Sequence, residues 1–197
     1  MSKWDERFNT PEYVYGKDPN NFLQENYSSI PLGSVLSLCE GEGRNAVFLA
    51  KKGYDVTAVD SSKIGLAKAL RLADENGVNI KTIKCDLTDF EITPGNWDGI
   101  VSVFCHTPPD FRKTLHNMCA KGLKQNGVLI LEGYSERQLD YRTGGPTDPD
   151  LLLKLDQVKL ELKGLDFRIA REIVRDINEG MLHKGHGAVV QILAVKK

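Results

Sequence analysis

The residues of this sequence best suited to chemistry are two glycines followed, 19 residues after the first, by an aspartate. Gly41 and Gly43 come directly after a short apolar run, and Asp60 follows the next such run. Without Cβ atoms, glycines at a strand-to-helix turn let the backbone bend tightly and let a ligand approach closely. A carboxylate at this spacing can accept hydrogen bonds from both ribose hydroxyls of a nucleoside. The pattern favours a nucleoside cofactor site over a role for Asp60 as a helix cap or surface acid.

A dinucleotide would satisfy the same spacing, so three further features bear on the kind of cofactor. Asp86 follows the third predicted strand, where a carboxylate can accept from an adenine amino group, although it could equally cap a turn with Thr88. Residues 123–127 form a predicted turn before the fifth strand. The chain closes with two strands and not with a second βαβαβ half. Together these features favour an adenosyl cofactor of another class, with a nicotinamide cofactor as the alternative.

Three side chains are candidates for contact with a second, reacting molecule. His106 follows the fourth predicted strand and could orient or deprotonate an acceptor, or could equally be a loop histidine bonded to backbone. Tyr134 and Arg142 lie in the long connection after the fifth predicted strand. Arg142 could pair with an anionic substrate or simply be solvated.

Arg44 is a fourth candidate for the reacting side of the site, because its position is unfavourable for an arginine. It lies at the start of a predicted helix, where the helix dipole disfavours a cation. This misfit suggests a specific partner, either the substrate or the carboxylate of Glu40 or Glu42.

The apolar pattern predicts strands and helices in alternation along the chain. Strands are expected at residues 34–39, 54–59, 80–85, 97–104, 128–132, 168–177 and 187–195. Helices are expected at residues 44–52, from a cap at Ser61 or Ser62 to the Asn76–Gly77 stop, and at 111–123 and 148–162. Alternation implies parallel pairing, whereas the last two strands, with no helix between them, pair antiparallel. The predicted fold is α/β: a single-domain, Rossmann-like three-layer sandwich with a seven-stranded, mostly parallel sheet and a C-terminal antiparallel hairpin.

Composition narrows the range of partners. The 26 basic and 27 acidic residues leave a net charge of −1, which argues against nucleic acid or an anionic membrane as the main partner. No apolar run approaches the roughly 20 residues needed to span a bilayer, and the first residues do not form a secretory signal. The expected protein is cytoplasmic and monomeric.

The cysteines and histidines do not form a recognisable metal motif. The four cysteines lack C-x-x-C spacing, so we expect reduced thiols and buried packing roles. His183 and His186 have H-x-x-H spacing, but no strong third ligand accompanies them. We therefore expect no metal site and place both histidines in a solvent-facing hairpin loop.

Several ordered segments resemble the motifs of class I S-adenosylmethionine-dependent methyltransferases. They are residues 35–46, 59–60, 85–87 and 123–132. Within that superfamily the chain is similar to the small tellurite-resistance and thiopurine methyltransferase branch. Residues 42–46 are the most specific part of this resemblance, and residues 15–20 and 143–146 support it. The resemblance covers nearly the whole chain and implies S-adenosyl-L-methionine as the cofactor.

The resemblance also implies which residues contact that cofactor. Contacts are expected at the ends of the first three strands, from Gly41, Gly43, Asp60 and Asp86. Neighbouring residues complete the expected set: Glu40, Asn45, Ser61, Leu87 and Phe104. Residues 1–30 are expected to form a segment that folds over the cofactor through Trp4, Phe8 and Tyr15, and residues 31–197 to form the Rossmann-like core.

The sequence departs from the family pattern at the methionine end of the expected site. The family usually has an acid at the position of Ser37 and often a glycine at the position of Cys39. Glu40 lies close by, so we expect it to supply the charge that faces the methionine amino group.

The resemblance implies methyl transfer to a small-molecule acceptor, including soft sulfur, selenium or tellurium nucleophiles. From the length of the chain we expect no added domain for docking a protein or nucleic acid. Because the leaving group is a neutral thioether, positioning matters more than a strong base. Two alternatives stay open: a nicotinamide-dependent oxidoreductase and a non-catalytic cofactor-binding module.

Overall fold

The seven predicted strands form one sheet. The structure is a computed structural model and describes residues 2–197. The strands are β1 (Ser34–Leu38), β2 (Asp55–Asp60), β3 (Lys81–Lys84), β4 (Trp97–Val103), β5 (Leu123–Tyr134), β6 (Leu165–Asn178) and β7 (Lys184–Lys196). Their order across the sheet is β3-β2-β1-β4-β5-β7-β6. β1 to β5 pair in parallel, and β7 is antiparallel to both of its neighbours, which confirms the predicted sheet and its C-terminal hairpin.

Seven α-helices connect and cover these strands in the described part of the chain. They are α1 (Lys3–Phe8), α2 (Asn21–Asn26), α3 (Arg44–Lys51), α4 (Lys63–Glu75), α5 (Pro109–Gly122), α6 (Gln138–Tyr141) and α7 (Leu155–Glu161). Single 3-10 turns lie at Tyr27–Ser29 and Pro149–Leu151. Of the two serines proposed to cap the fourth helix, Ser62 does so, because its Oγ accepts from the backbone N–H of Gly65 at 3.0 Å.

Both faces of the sheet are buried, which explains why its central strands read as continuous apolar runs. Along β1, Leu36 and Leu38 pack into one hydrophobic cluster with the interior faces of α5 and α7. Val35, which alternates with them, packs into a second cluster with α2 and α3. The predicted three layers follow directly from this alternation.

One predicted helix is wrong in extent. Residues 148–162 do not form a continuous helix, because the chain is extended between the 3-10 turn at Pro149–Leu151 and α7. There, Leu153 pairs with Ser135 and donates its N–H to the carbonyl of Tyr134 at 2.9 Å. Helical spacing of apolar residues predicted the helix, but pairing with the end of β5 provides the backbone of Leu153 with a competing partner.

The predicted turn before the fifth strand is present as an irregularity within β5. Trp97 pairs with Leu123, and Gly99 pairs with Val128, so the residues between bulge away from β4. Asn126 has a φ of 64°, which is the left-handed conformation typical of such positions.

The N-terminal segment is held on the outside of α4 by a buried lysine. Nζ of Lys68 donates to the carbonyls of Phe8, Thr10 and Glu12, at 3.3, 3.1 and 2.5 Å. It also forms an ion pair with Glu42 at 2.5 Å. These bonds attach the segment to the helix that follows β2, next to the glycine turn. No helix within residues 2–197 is long and apolar enough to cross a membrane.

Candidate functional site

The predicted glycine–aspartate pair is in direct contact. The backbone N–H of Gly41 donates to Oδ2 of Asp60 at 2.9 Å, and the N–H of Ser62 donates to Oδ1 at 2.8 Å. Gly41 has a φ of 63°, a left-handed backbone conformation that glycine adopts much more readily than other residues. Burial raises the pKa of Asp60, while these N–H donors favour its ionised form. The carboxylate is therefore fixed at the end of β2 and faces the turn after β1.

This pair lies where strand order reverses. β1 is flanked by β2 on one side and β4 on the other, and the carboxyl ends of all three meet at one edge. In open α/β sheets, ligands bind in the crevice outside these ends. Gly41, Asp60 and Phe104 follow or end β1, β2 and β4 respectively, and Asp86 follows β3. The fold thus collects the predicted cofactor residues along one edge.

Gly43 is needed for the close packing of α3 against α4. A Cβ atom at this position would lie 2.6 Å from the Cα and Cβ atoms of Ala69 in α4. Gly43 also has a φ of 95° and precedes the first residue of α3. Its absent side chain lets α3 and α4 approach each other directly behind the turn.

Glu40 caps α3. Its Oε1 accepts from the backbone N–H groups of Asn45 and Ala46 at 3.0 and 2.9 Å, and its Oε2 accepts from the hydroxyl of Ser37. Burial raises the pKa of Glu40. The acid expected at position 37 is thus replaced by a hydroxyl that binds an acid three residues later. A contact between Glu40 and the methionine end of a cofactor stays a prediction.

Asp86 shows the turn-capping geometry that was the alternative for it. Its Oδ1 accepts from the backbone N–H of Thr88 at 3.0 Å and from the Thr88 hydroxyl at 2.9 Å. These bonds lower the pKa of Asp86, which is exposed. Leu87, next in the chain, is buried in the core. An adenine contact by Asp86 stays a prediction.

The N-terminal segment lies against the glycine turn. A Cβ atom at Gly41 would come 3.1 Å from Cζ of Phe8, whose ring also stacks with Trp4 at 5.7 Å between centroids. The backbone N–H of Tyr15 donates to Oε2 of Glu42 at 3.3 Å. Trp4 is 41% exposed, whereas Phe8 is 3% exposed. The segment therefore lies next to the predicted cofactor crevice, as an enclosing segment would.

Two other predicted cofactor residues also lie at this edge. Asn45 is buried, and its Oδ1 accepts from the backbone N–H of Asn20 at 2.9 Å, which ties the N-terminal segment to α3. Ser61 lies beside Asp60 and is partly exposed. Both stay predictions as cofactor contacts.

His106 adopts the backbone-bonded geometry. Its Nδ1 lies 2.9 Å from the carbonyl of Leu151, and its Nε2 lies 3.3 Å from the backbone nitrogen of Tyr134. The first bond requires a protonated Nδ1, and the second requires a bare Nε2, so the ring is neutral. Burial lowers its pKa to about 4. With both nitrogens bonded, His106 positions the loops after β4 and β5 and has no free nitrogen to act as a base.

The two candidate arginines differ in their surroundings. Arg44 is buried, and its partner is neither Glu40 nor Glu42: Nη2 lies 2.5 Å from Oε2 of Glu179. Arg142 is exposed in a loop with a φ of 56°, which agrees with the solvated alternative. The ion pair with Glu179 explains why Arg44 occupies an otherwise unfavourable position at a helix N-terminus.

An aromatic cluster lies at the carboxyl ends of β4 and β5. It consists of Tyr15, Phe104, Tyr134 and His183. His183 packs against Phe104 and Tyr15 at 4.5 Å and against Tyr134 at 5.4 Å between ring centroids. The prediction of a solvent-facing loop is wrong for His183, which is 8% exposed, because aromatic rings from three other segments cover it.

Two buried polar atoms in the aromatic cluster have no hydrogen-bond partner among residues 2–197. They are the hydroxyl of Tyr134 and Nδ1 of His183. Burial lowers the pKa of His183 to about 3, so its imidazole is neutral, and burial also raises the pKa of Tyr134. Buried polar atoms normally have partners, so this pair is suited to a bound polar molecule. Sequence reasoning missed His183; the only signal was its place in a glycine-rich connection opposite a predicted site residue.

A buried polar network holds the connection that carries His183. Glu132, at 0% exposure, accepts from Arg175 at 2.5 Å, from Asn20 at 2.7 Å and from Gln191 at 2.5 Å. Glu179 accepts from the same arginine and asparagine. The network ties the N-terminal segment to β5, β6 and β7 and thereby fixes one wall of the aromatic cluster. No group of three metal-ligating side chains occurs within the described residues.

Comparison with known proteins agrees with this geometry. Residues 35–127 match the family described as a methyltransferase domain. The solved structure of TehB from Haemophilus influenzae has a TM-score of 0.75 with this chain at 19% identity, covering 98% of this chain and 66% of that one. This chain has the class I methyltransferase fold. S-adenosyl-L-methionine is the cofactor expected for a methyltransferase domain of this fold.

Curated relatives of the methyltransferase domain act on different acceptors. A 23S rRNA (uracil(747)-C(5))-methyltransferase from Pyrococcus abyssi is 26% identical over 66% of this chain and 33% of its own length. A glycine/sarcosine N-methyltransferase from Aphanothece halophytica is 26% identical over 87% of this chain and 65% of its own. The chain thus spans between one third and two thirds of the length of these two relatives. Their acceptors range from a nucleic acid to an amino acid.

Proposed function

We propose that this protein transfers a methyl group from S-adenosyl-L-methionine to a small-molecule acceptor and acts as a monomer. The observation that carries the proposal is the buried carboxylate of Asp60, bonded to the N–H of Gly41 at the strand-order reversal. Each Asp60 oxygen keeps a free lone pair beside this bond, so the carboxylate can still accept from ribose hydroxyls. No side chain projects from Gly41 itself, and the ring of Phe8 lies over the turn, as expected for an N-terminal segment that covers the cofactor.

The sheet argues against the nicotinamide alternative. Dinucleotide-binding sheets add a second parallel half after the first three strands, in the order 3-2-1-4-5-6. Here β7 is inserted antiparallel between β5 and β6. β4 and β5 keep the parallel arrangement of that second half, but the antiparallel β7 takes the place of its last strand, so an adenosyl cofactor fits this edge better than a dinucleotide.

The aromatic cluster supports a small acceptor. The neutral imidazole of His183 can accept a hydrogen bond at Nδ1, and the hydroxyl of Tyr134 can donate one. With its pKa at about 3, His183 is too weak a base to remove a proton at neutral pH. The two groups therefore bind and orient an acceptor while the aromatic rings exclude water. The bound cofactor supplies an activated methyl group whose leaving group is a neutral thioether.

This arrangement favours acceptors that need no strong base. Soft sulfur, selenium or tellurium species are ionised or nucleophilic near neutral pH and meet that requirement. We propose this class because the aromatic cluster contains neutral polar groups and no ion pair between them.

Calorimetric titration tests the cofactor. We expect S-adenosylhomocysteine and S-adenosylmethionine to bind with one site per chain, and NADH not to bind. Binding of NADH without binding of either adenosyl compound would overturn the proposal. Size-exclusion chromatography with light scattering on the same samples tests the monomer.

A panel of acceptors tests the second half of the proposal. Transfer from radiolabelled S-adenosylmethionine is measured with thiols, selenite, tellurite, glycine, sarcosine and an rRNA fragment. We expect turnover with a soft nucleophile, and a rise in its KM in Tyr134→Phe and in His183→Gln. Turnover with rRNA alone would contradict the small acceptor, and cofactor binding without turnover on any acceptor would favour the non-catalytic module.

A further inference from the structure

Two cysteines from distant parts of the sequence meet in the cofactor crevice. The Sγ atoms of Cys39 and Cys105 lie 2.9 Å apart, although 66 residues separate them in the chain. Cys39 follows β1 and Cys105 follows β4, which are neighbouring parallel strands with Leu38 paired to Ser102.

Both thiols are free and open to solvent. Cys39 is exposed and Cys105 is partly exposed, whereas Cys119 is buried in α5. The hydrogen bond to Cys105 raises the pKa of the Cys39 thiol well above its usual value. Because the Cys39 thiol keeps its proton, Cys105 is the sulfur that we expect to react first with an oxidant.

Cys39 belongs to the turn that forms the predicted nucleoside site. It precedes Glu40 and Gly41, and the carboxylates of Asp60 and Asp86 lie close enough to affect its ionisation. Cys39 also has a φ of 50°, a conformation that a non-glycine residue adopts only where its surroundings hold it. A bond at this sulfur would therefore change the turn at which a nucleoside is expected to bind.

We propose that Cys39 and Cys105 form a reversible disulfide across the cofactor crevice when a peroxide is present. The Cys105 sulfur attacks one peroxide oxygen, the O–O bond breaks, and water leaves, which gives a sulfenic acid. The Cys39 sulfur then attacks the Cys105 sulfur, an S–S bond forms, and a second water leaves. The two thiols lose two electrons and two protons, and hydrogen peroxide is reduced to two water molecules. Two molecules of a small thiol reverse the reaction by exchange: the first forms a mixed disulfide with the protein, and the second releases both cysteines as thiols and leaves as the small thiol's own disulfide.

The disulfide would join the carboxyl ends of β1 and β4. It would thereby fix the turn after β1 at which a nucleoside is expected to bind. We expect the oxidised protein to bind S-adenosylhomocysteine more weakly, an expectation that rests on the proposed function. Formation of the disulfide itself does not depend on that function.

Thiol counting tests the disulfide directly. The reduced protein and samples treated with hydrogen peroxide are denatured and titrated with a chromogenic disulfide reagent, and a fall from four thiols to two is expected. Cys85→Ser should still lose two thiols and Cys105→Ser should keep all three of its own, whereas Cys39→Ser should lose at most the Cys105 thiol, as a sulfenic acid with no second thiol to resolve it. A disulfide-linked dimer, a bond to Cys85, or equal loss in every variant would overturn the proposal.

Calorimetry on the same samples tests the consequence for the crevice. We expect S-adenosylhomocysteine to bind the oxidised protein at least about tenfold more weakly than the reduced protein, with recovery after dithiothreitol. Cys85→Ser should show the same change, and Cys105→Ser should show none. If the protein with the mapped disulfide binds S-adenosylhomocysteine as tightly as the reduced protein, the inference that the disulfide weakens binding is overturned. Failure of the reduced protein to bind would instead reject the proposed cofactor, while the thiol count would still decide the disulfide.

Discussion

Nη2 of Arg44 lies 2.5 Å from Oε2 of Glu179, and both side chains are at least nine-tenths buried. This ion pair connects the first residue of α3 to the connection between β6 and β7. It explains an arginine at a helix N-terminus, because a full negative charge outweighs the unfavourable helix dipole. It also links the glycine turn to the segment that carries His183.

Removal of one partner from this ion pair should be costly. We expect Glu179→Gln to lower the free energy of unfolding by about 3–5 kcal/mol, because it leaves an uncompensated buried charge. Urea denaturation followed by circular dichroism measures the change. Glu136→Gln is the matched control, since its ion pair with Lys154 is exposed and should contribute about 0–1 kcal/mol. Similar losses in both variants would contradict the role of the buried pair.

Gly43 should be intolerant of a side chain for reasons of space. Gly43→Ala places a Cβ atom 2.6 Å from Ala69 at a φ of 95°. Gly77→Ala is the matched control, because Gly77 also has a positive φ of 66° but no atom lies within 4 Å of its Cβ position. We expect Gly43→Ala to cost about 1–3 kcal/mol more than its control, measured by thermal and urea unfolding. Equal costs would mean that backbone strain alone requires glycine at position 43.

Asp60 should contribute directly to cofactor affinity. We expect Asp60→Ala to weaken binding of the adenosyl cofactor by about 1–3 kcal/mol, because a charged hydrogen bond is lost. Calorimetry well below the unfolding temperature separates this effect from lost stability at Gly41 and Ser62. Asp55→Ala in the same strand is the control, since Asp55 is exposed and pairs with Lys81. Unchanged affinity in folded Asp60→Ala would remove Asp60 from the site.

The buried histidines should make stability depend on pH. The pKa of His183 is lowered to about 3, whereas in the unfolded chain it is about 6.5. Between these values only the unfolded state binds the proton, so acidification from pH 6.5 to 4 favours unfolding by about 1.4 kcal/mol per pH unit. We expect His183→Gln to reduce the steepness of the pH dependence by that amount.

A pH dependence that does not change in His183→Gln would contradict a neutral His183. An equal slope in the wild type and in His183→Gln would show that the imidazole is protonated in the folded state. It would then be a cation beside Tyr134, and a donor where the proposed function requires an acceptor of hydrogen bonds.

The sheet and the glycine–aspartate pair were predictable because their signals are local. Strands and helices differ in the period of their apolar residues, and a turn with positive φ needs glycine. Gly41 and Asp60 lie at the ends of consecutive strands, so parallel pairing alone brings them to the same edge. The exception was the helix expected at 148–162. Its apolar residues have helical spacing, but the backbone of Leu153 pairs with Ser135 instead, and the helix begins only after that pairing.

The sequence by itself determined the fold class, the order of strands and helices, and the edge of the sheet at which we propose that a nucleoside binds. Only the tertiary structure paired Arg44 with Glu179, left His183 and Tyr134 with unpartnered polar atoms, and brought Cys39 next to Cys105. These contacts join residues far apart in the chain. Their free energies depend on burial and on the exact distance between atoms, and neither quantity is encoded in the local pattern.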